Sequence, residues 1–142
     1  MRAPVFTYGT LKEGFPNFRF NGGVRVAGEF VTTHRFPLYL VGQRRVPWLV
    51  NAPGQGERVV GQLFELDDAG LLQMDGLERV DADDGYRRLA IEVVERGRPS
   101  AIPVVALAYV KLPEQLAEET IRVGPLFEYT REHAALYTRR EA

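Results

Sequence analysis

The apolar positions of the chain come in short runs cut by glycine, proline and acidic turns, and most runs have the two-residue period of a strand. Val5-Phe6-Thr7 is the first. Over residues 24–33, Val24, Val26 and Phe30 alternate imperfectly with polar neighbours, which predicts a strand kinked near Gly28. Leu38-Tyr39-Leu40-Val41, closed by Gly42, and the return over residues 44–50 predict a hairpin. Pro47 argues for an edge position or an interruption of pairing, because proline has no N–H for a ladder. Residues 59–66 predict a strand with Val60, Gln62, Phe64 and Leu66 on one face. Residues 86–96 and 101–110 predict a second hairpin, turning through Gly97-Arg98-Pro99-Ser100.

One stretch changes period. Asp67 suits a helix N-cap, Asp68 suits the positive end of the helix dipole, and Leu71, Met74, Leu77 and Glu78 fall on one helical stripe. The loops between elements are rich in turn formers: residues 13–17 pinned by Phe15, Phe18 and Phe20, residues 51–56, and Asp81-Ala82-Asp83-Asp84-Gly85. After Lys111 the pattern predicts a helical turn beyond Pro113 and irregular chain past Gly124-Pro125. The sum is one α+β domain over residues 1–142, with a mainly antiparallel or mixed sheet curled into a small β-barrel, one principal helix and a few short helices.

Composition narrows the function. The 142 residues are 45% hydrophobic and 26% charged, as in an ordinary globular domain, and the formal charge of -1 offers no basic field for nucleic acid. There is no cysteine for thiol chemistry, and His34 and His133 lie far apart, so no metal site is expected. No apolar run reaches the roughly 20 residues of a membrane helix, and no signal-peptide core opens the chain, so a cytoplasmic protein without membrane partners is expected. Ser100, the single serine, sits in a turn rather than a nucleophile elbow, and the glycines and Lys-Ser/Thr ending of a phosphate-binding loop are missing.

Two features carry candidate chemistry. Tyr8-Gly9-Thr10-Leu11 follows the first strand, and Gly9 can take positive φ and lacks a Cβ that would block a ligand. Successive amides in such a turn can converge on an anion; a tight turn over a buried tyrosine is the other reading. Glu78 is the second feature, since it shares a stripe with core-facing residues. In an apolar pocket its carboxyl would resist ionisation and could take up and return a proton near neutral pH. Alternatively the helix ends there and the side chain reaches water, Arg79, Arg87 or Arg88. Trp48 and the tyrosines suit core or pocket wall, and the acidic turn at residues 81–85 lacks the pattern of a calcium loop.

Together these residues resemble the γ-glutamylcyclotransferase-like family, most closely its γ-glutamylamine cyclotransferase branch. The likeness lies in residues 5–12, Gly14, Pro16-Asn17, Pro37-Leu38, Pro47-Trp48-Leu49, the stretch from Pro53-Gly54 to Gly61, Met74-Asp75-Gly76-Leu77-Glu78 and Tyr86-Arg87-Arg88. Past Val110 only Gly124-Pro125 and a following aromatic match. The resemblance implies a cofactor-independent enzyme that closes a small-molecule γ-glutamyl substrate to 5-oxoproline and frees an amine. It implies Glu78 as general acid/base and Tyr8, Gly9, Thr10 and Leu11 as the glutamyl-holding loop, with Trp48 and Tyr86 as further substrate-binding residues. A non-catalytic module binding a γ-glutamyl or other carboxylate metabolite, and a plain interaction domain, are the competing readings.

Overall fold

The computed structural model describes residues 2–98 and 100–139. Its nine strands are β1 (Ala3–Thr7), β2 (Val24–Arg25), β3 (Phe30–Thr32), β4 (Leu38–Val41), β5 (Val46–Leu49), β6 (Val60–Leu66), β7 (Arg87–Glu95), β8 (Val104–Val110) and β9 (Ile121–Val123). Two α-helices, α1 (Asp68–Leu77) and α2 (Arg131–Ala134), and two 3-10 turns, Phe18–Phe20 and Pro113–Leu116, are the other elements among the described residues.

Five strands close on themselves. β1 runs antiparallel to β6, from Ala3↔Leu66 to Thr7↔Gln62, and parallel to β8 at Val5↔Leu107. β8 pairs antiparallel with β7, β7 with β3, and β3 with β6, which returns the ladder to β1 as a mixed barrel. The expected kinked strand is a broken one: Gly28, at φ +91°, separates β2 from β3, and both lie against β6. Each barrel strand sends alternate residues to opposite sides, as a pleat requires. Phe6, Leu63, Ile91, Val93, Ala106 and Ala108 join one core, while Val5, Phe64, Leu66 and Tyr109 join Met74 in a second core beneath α1.

A smaller sheet in the order β5-β4-β9 packs beside the barrel, with Pro47 on its edge strand as expected. β9 has no counterpart in the sequence pattern. It pairs with β4 through Leu40↔Val123, and its three residues are mostly exposed, so it has no alternation to read. The second hairpin joins β7 to β8 as predicted, although Pro99 of its connection lies outside the described residues.

Helix α1 requires a correction. Asp67 caps it through Gly70 N–H at 2.8 Å, but Met74 is its one fully buried residue, Leu77 is exposed, and Glu78 lies beyond its last turn. The supposed buried stripe is therefore not what places Glu78.

Candidate active site

The first wall of the site is the loop leaving β1. Tyr8 is buried and its hydroxyl donates to the Tyr109 carbonyl at 2.7 Å, fastening the loop to the end of β8. The loop's carbonyls are also occupied. Gly9 O accepts from Lys12 N–H, Thr10 O from Asn17 N–H, and Leu11 O from the Asn21 amide. The N–H groups of Gly9, Thr10 and Leu11, by contrast, have no protein acceptor among the described residues. All three residues line a cavity of about 680 Å³. Unpaired, neighbouring amides at the edge of a cavity are suited to a carboxylate or an oxyanion.

Gly9 is needed here for a reason other than the expected one. Its φ is not positive; instead a Cβ at Gly9 would lie 2.8 Å from Cγ of Pro47. The missing side chain lets β5 pack directly on the loop.

Glu78 lines the same cavity. It caps the C-terminus of α1, with its N–H still bonded to Met74 O at 2.9 Å, and Arg79 at φ +55° then reverses the chain. The return is tight, because Tyr86 N–H donates to Glu78 O and a Cβ on Gly85 would lie 1.7 Å from Arg79 O. The helix does end at Glu78, but its side chain opens into the cavity. Arg79 pairs with Asp84, Arg88 with Asp75, and Arg87 donates to backbone carbonyls. Burial pushes the Glu78 carboxyl up to about 7, against an opposing pull from Lys111. Burial and then the Glu78 charge hold the Tyr8 phenol far above its ordinary range.

All seven residues singled out from the sequence, Tyr8, Gly9, Thr10, Leu11, Trp48, Glu78 and Tyr86, line this one cavity. Tyr86 is anchored by its hydroxyl, which donates to the Pro47 carbonyl at 2.9 Å. Tyr137, one of the tyrosines read as core or pocket wall, also lines it, as do Pro47, Arg44, Lys111 and Arg139, which were not singled out as site residues. Lys111 carried a readable signal, a lysine directly continuing the apolar run Leu107-Ala108-Tyr109-Val110. Arg139 in the tail carried none. Residues 137–139 return across the cavity: Thr138 exchanges backbone and side-chain bonds with Arg44, the Tyr137 hydroxyl accepts from Asn17, and Arg139 lies over Phe20.

The arrangement offers a proton acceptor poised near neutrality and free amide donors at one cavity. Among the described residues, no group of three or more His, Cys, Asp and Glu side chains is placed to hold a metal ion, and no helix is long and apolar enough to cross a membrane.

Comparison with known proteins places this geometry in context. A family model described as gamma-glutamyl cyclotransferase, AIG2-like, matches residues 5–131. A Bos taurus protein named gamma-glutamylaminecyclotransferase is 38% identical over 100 residues, 67% of this chain and 58% of the relative. The Mus musculus protein of that name is 36% identical over 64% of this chain and 63% of its own length. The chain thus spans about three fifths of the curated relatives it matches. The crystal structure of an AIG2-like protein from Mus musculus superimposes with a TM-score of 0.78 at 30% identity, covering 99% of this chain and 98% of that one.

Proposed function

This chain belongs to the gamma-glutamyl cyclotransferase, AIG2-like family, and from that premise we propose that it frees an amine from a γ-glutamyl amine by closing the glutamyl part to 5-oxoproline. One observation carries the reading: Glu78 and the unpaired amides of Gly9, Thr10 and Leu11 share a single cavity.

The reaction moves protons as well as bonds. The substrate's α-amine is an ammonium at neutral pH and cannot attack until it loses a proton to the Glu78 carboxylate. The freed nitrogen adds to the γ-carbonyl carbon, a tetrahedral oxyanion forms, and the amide C–N bond breaks. Across the cycle two protons leave the α-nitrogen and two reach the departing nitrogen, so a group that accepts and returns them near pH 7 suits both halves. Glu78, held up to about 7 by burial, has that property. Because attack is intramolecular, holding the glutamyl chain folded supplies much of the remaining rate, and the loop amides hold its charged oxygens. The name borne by the relatives supports an amine as leaving group. Arg44, Glu119 and Arg139 bring both signs of charge to the cavity, which suits an amine bearing its own carboxylate and ammonium, as lysine does.

The test is release of 5-oxoproline from a panel of γ-glutamyl-lysine, simple γ-glutamyl amines, γ-glutamyl amino acids and glutathione. Product from the γ-glutamyl amines supports the reading. Binding without product from any of them would make the protein a γ-glutamyl-binding module instead.

A further inference from the structure

Lys111 is the group in the cavity that the proposed chemistry leaves without a task. It directly follows β8, held by its own N–H on Leu49 O and by its carbonyl on Asn51 N–H, both at 2.8 Å. The residue is only 4% exposed, and lysine is almost never buried to that degree unless its charge is compensated. Its ammonium donates to the Asp84 carbonyl at 2.6 Å and lies 4.4 Å from the Trp48 ring and 4.5 Å from the Tyr86 ring. These three contacts fix the cation in place. Among the described residues Glu78 makes no direct ion pair, with Lys111 or any other cation.

A shared cavity without a direct ion pair has a chemical consequence. A carboxylate in contact with an ammonium is held ionised and pinned by the bond, which makes it a poor base. One buried with no cation near it stays protonated at neutral pH and cannot take a proton at all. A cation held at a distance avoids both limits. We propose that Lys111 is a positioning residue for charge: fixed by the Asp84 carbonyl and two aromatic faces, it keeps the Glu78 carboxylate available as a base without coordinating it.

The surrounding groups are consistent with this. Four groups line the same cavity: Glu78 after α1, Lys111 from the end of β8, Tyr8 from the end of β1 and Tyr86 from the segment before β7. The charges that act on Lys111 are those of Asp84, Glu78, Glu119 and Arg87. Burial brings Lys111 down to about 8, and those three carboxylates pull it back up, so it carries its charge at neutral pH. The tyrosines near Glu78 are neutral there, and Lys111 is the cation that acts on it.

The inference rests on the acid/base reading of Glu78 but is tested apart from it, by following the Glu78 side-chain carboxyl carbon by NMR against pH without substrate. Lys111→Met should move the Glu78 midpoint upward by on the order of one unit. The acidic limb of kcat/KM should move with it, lowering activity at pH 6 roughly tenfold while the difference closes at high pH. Lys111→Arg should restore both. Should the methionine variant fail to fold, Lys111→Gln keeps a donor for the Asp84 carbonyl and removes the charge, with the same shift expected. An unmoved Glu78 midpoint in the neutral variants, or a Lys111→Arg protein shifted as far as they are, would overturn the proposal. If the unmodified protein forms no 5-oxoproline, the cyclotransferase reading fails while the titration still decides the role of Lys111.

Discussion

Pro47 packs against Gly9 so closely that a Cβ on the glycine would lie 2.8 Å from the proline Cγ, and the same proline's carbonyl accepts the Tyr86 hydroxyl. One residue of an edge strand therefore links the loop after β1 to the segment that leads from Glu78 into β7. The two walls of the cavity are held in register through β5.

Gly9→Ala tests that link. Both Pro47 and the loop would have to give by tenths of an ångström, and overpacking of this kind costs typically about 1–3 kcal/mol. The expected result is a folded protein with a modestly lowered Tm and a kcat/KM reduced by at least roughly tenfold, since displacement of the loop amides weakens both binding and alignment. Steady-state kinetics beside thermal unfolding separates this from a general loss of fold.

Gly85→Ala tests the turn that aims Glu78. The added Cβ would meet a backbone oxygen, Arg79 O, at 1.7 Å, which no side-chain rotation relieves. A loss of about 3 kcal/mol in urea unfolding is expected. Gly76→Ala, only nine residues away, is the control: its Cβ would meet nothing within 4 Å, and alanine in a helix gains about 0.5–1 kcal/mol over glycine. Equal losses at both positions would contradict the description of the turn.

The pH dependence of stability follows from the Glu78 carboxyl. Its folded value of about 7 lies above the ordinary 4.5, so between those limits the folded protein binds more protons than the unfolded chain. Stability contributed by this site is thus lost as pH rises from 4.5 to 7, the reverse of a salt-bridged carboxylate. Glu78→Gln removes the penalty. Its Tm should match that of the unmodified protein near pH 4.5 and exceed it at pH 8, with a gain of up to about 3 kcal/mol. Equal curves at both pH values would show that Glu78 is not desolvated.

Much of the barrel was legible because its signals are local. Gly42 and Gly97 close hairpins flanked by alternating apolar residues, and Asp67 caps the helix it was expected to cap. Glu78 was found through helical spacing, yet the structure places it past the helix, at the turn where Arg79 reverses the chain, in a cavity that Tyr8 and Tyr86 also line. Long-range contacts explain what was not legible. β9 is ordered by β4 rather than by its own pattern, and Tyr137 and Arg139 reach the cavity through Thr138 bonded to Arg44. The Gly9 close approach depends on Pro47, a residue of another strand.

The central claim is that Glu78 carries the protons of a cyclisation, and the most direct measurement is 5-oxoproline release by Glu78→Gln. Glutamine keeps the shape and cannot act as a base, so turnover of γ-glutamyl-lysine should fall by about a thousandfold, within the range such groups contribute, while calorimetry shows the substrate still bound. Turnover within a few fold of the unmodified protein would contradict the account.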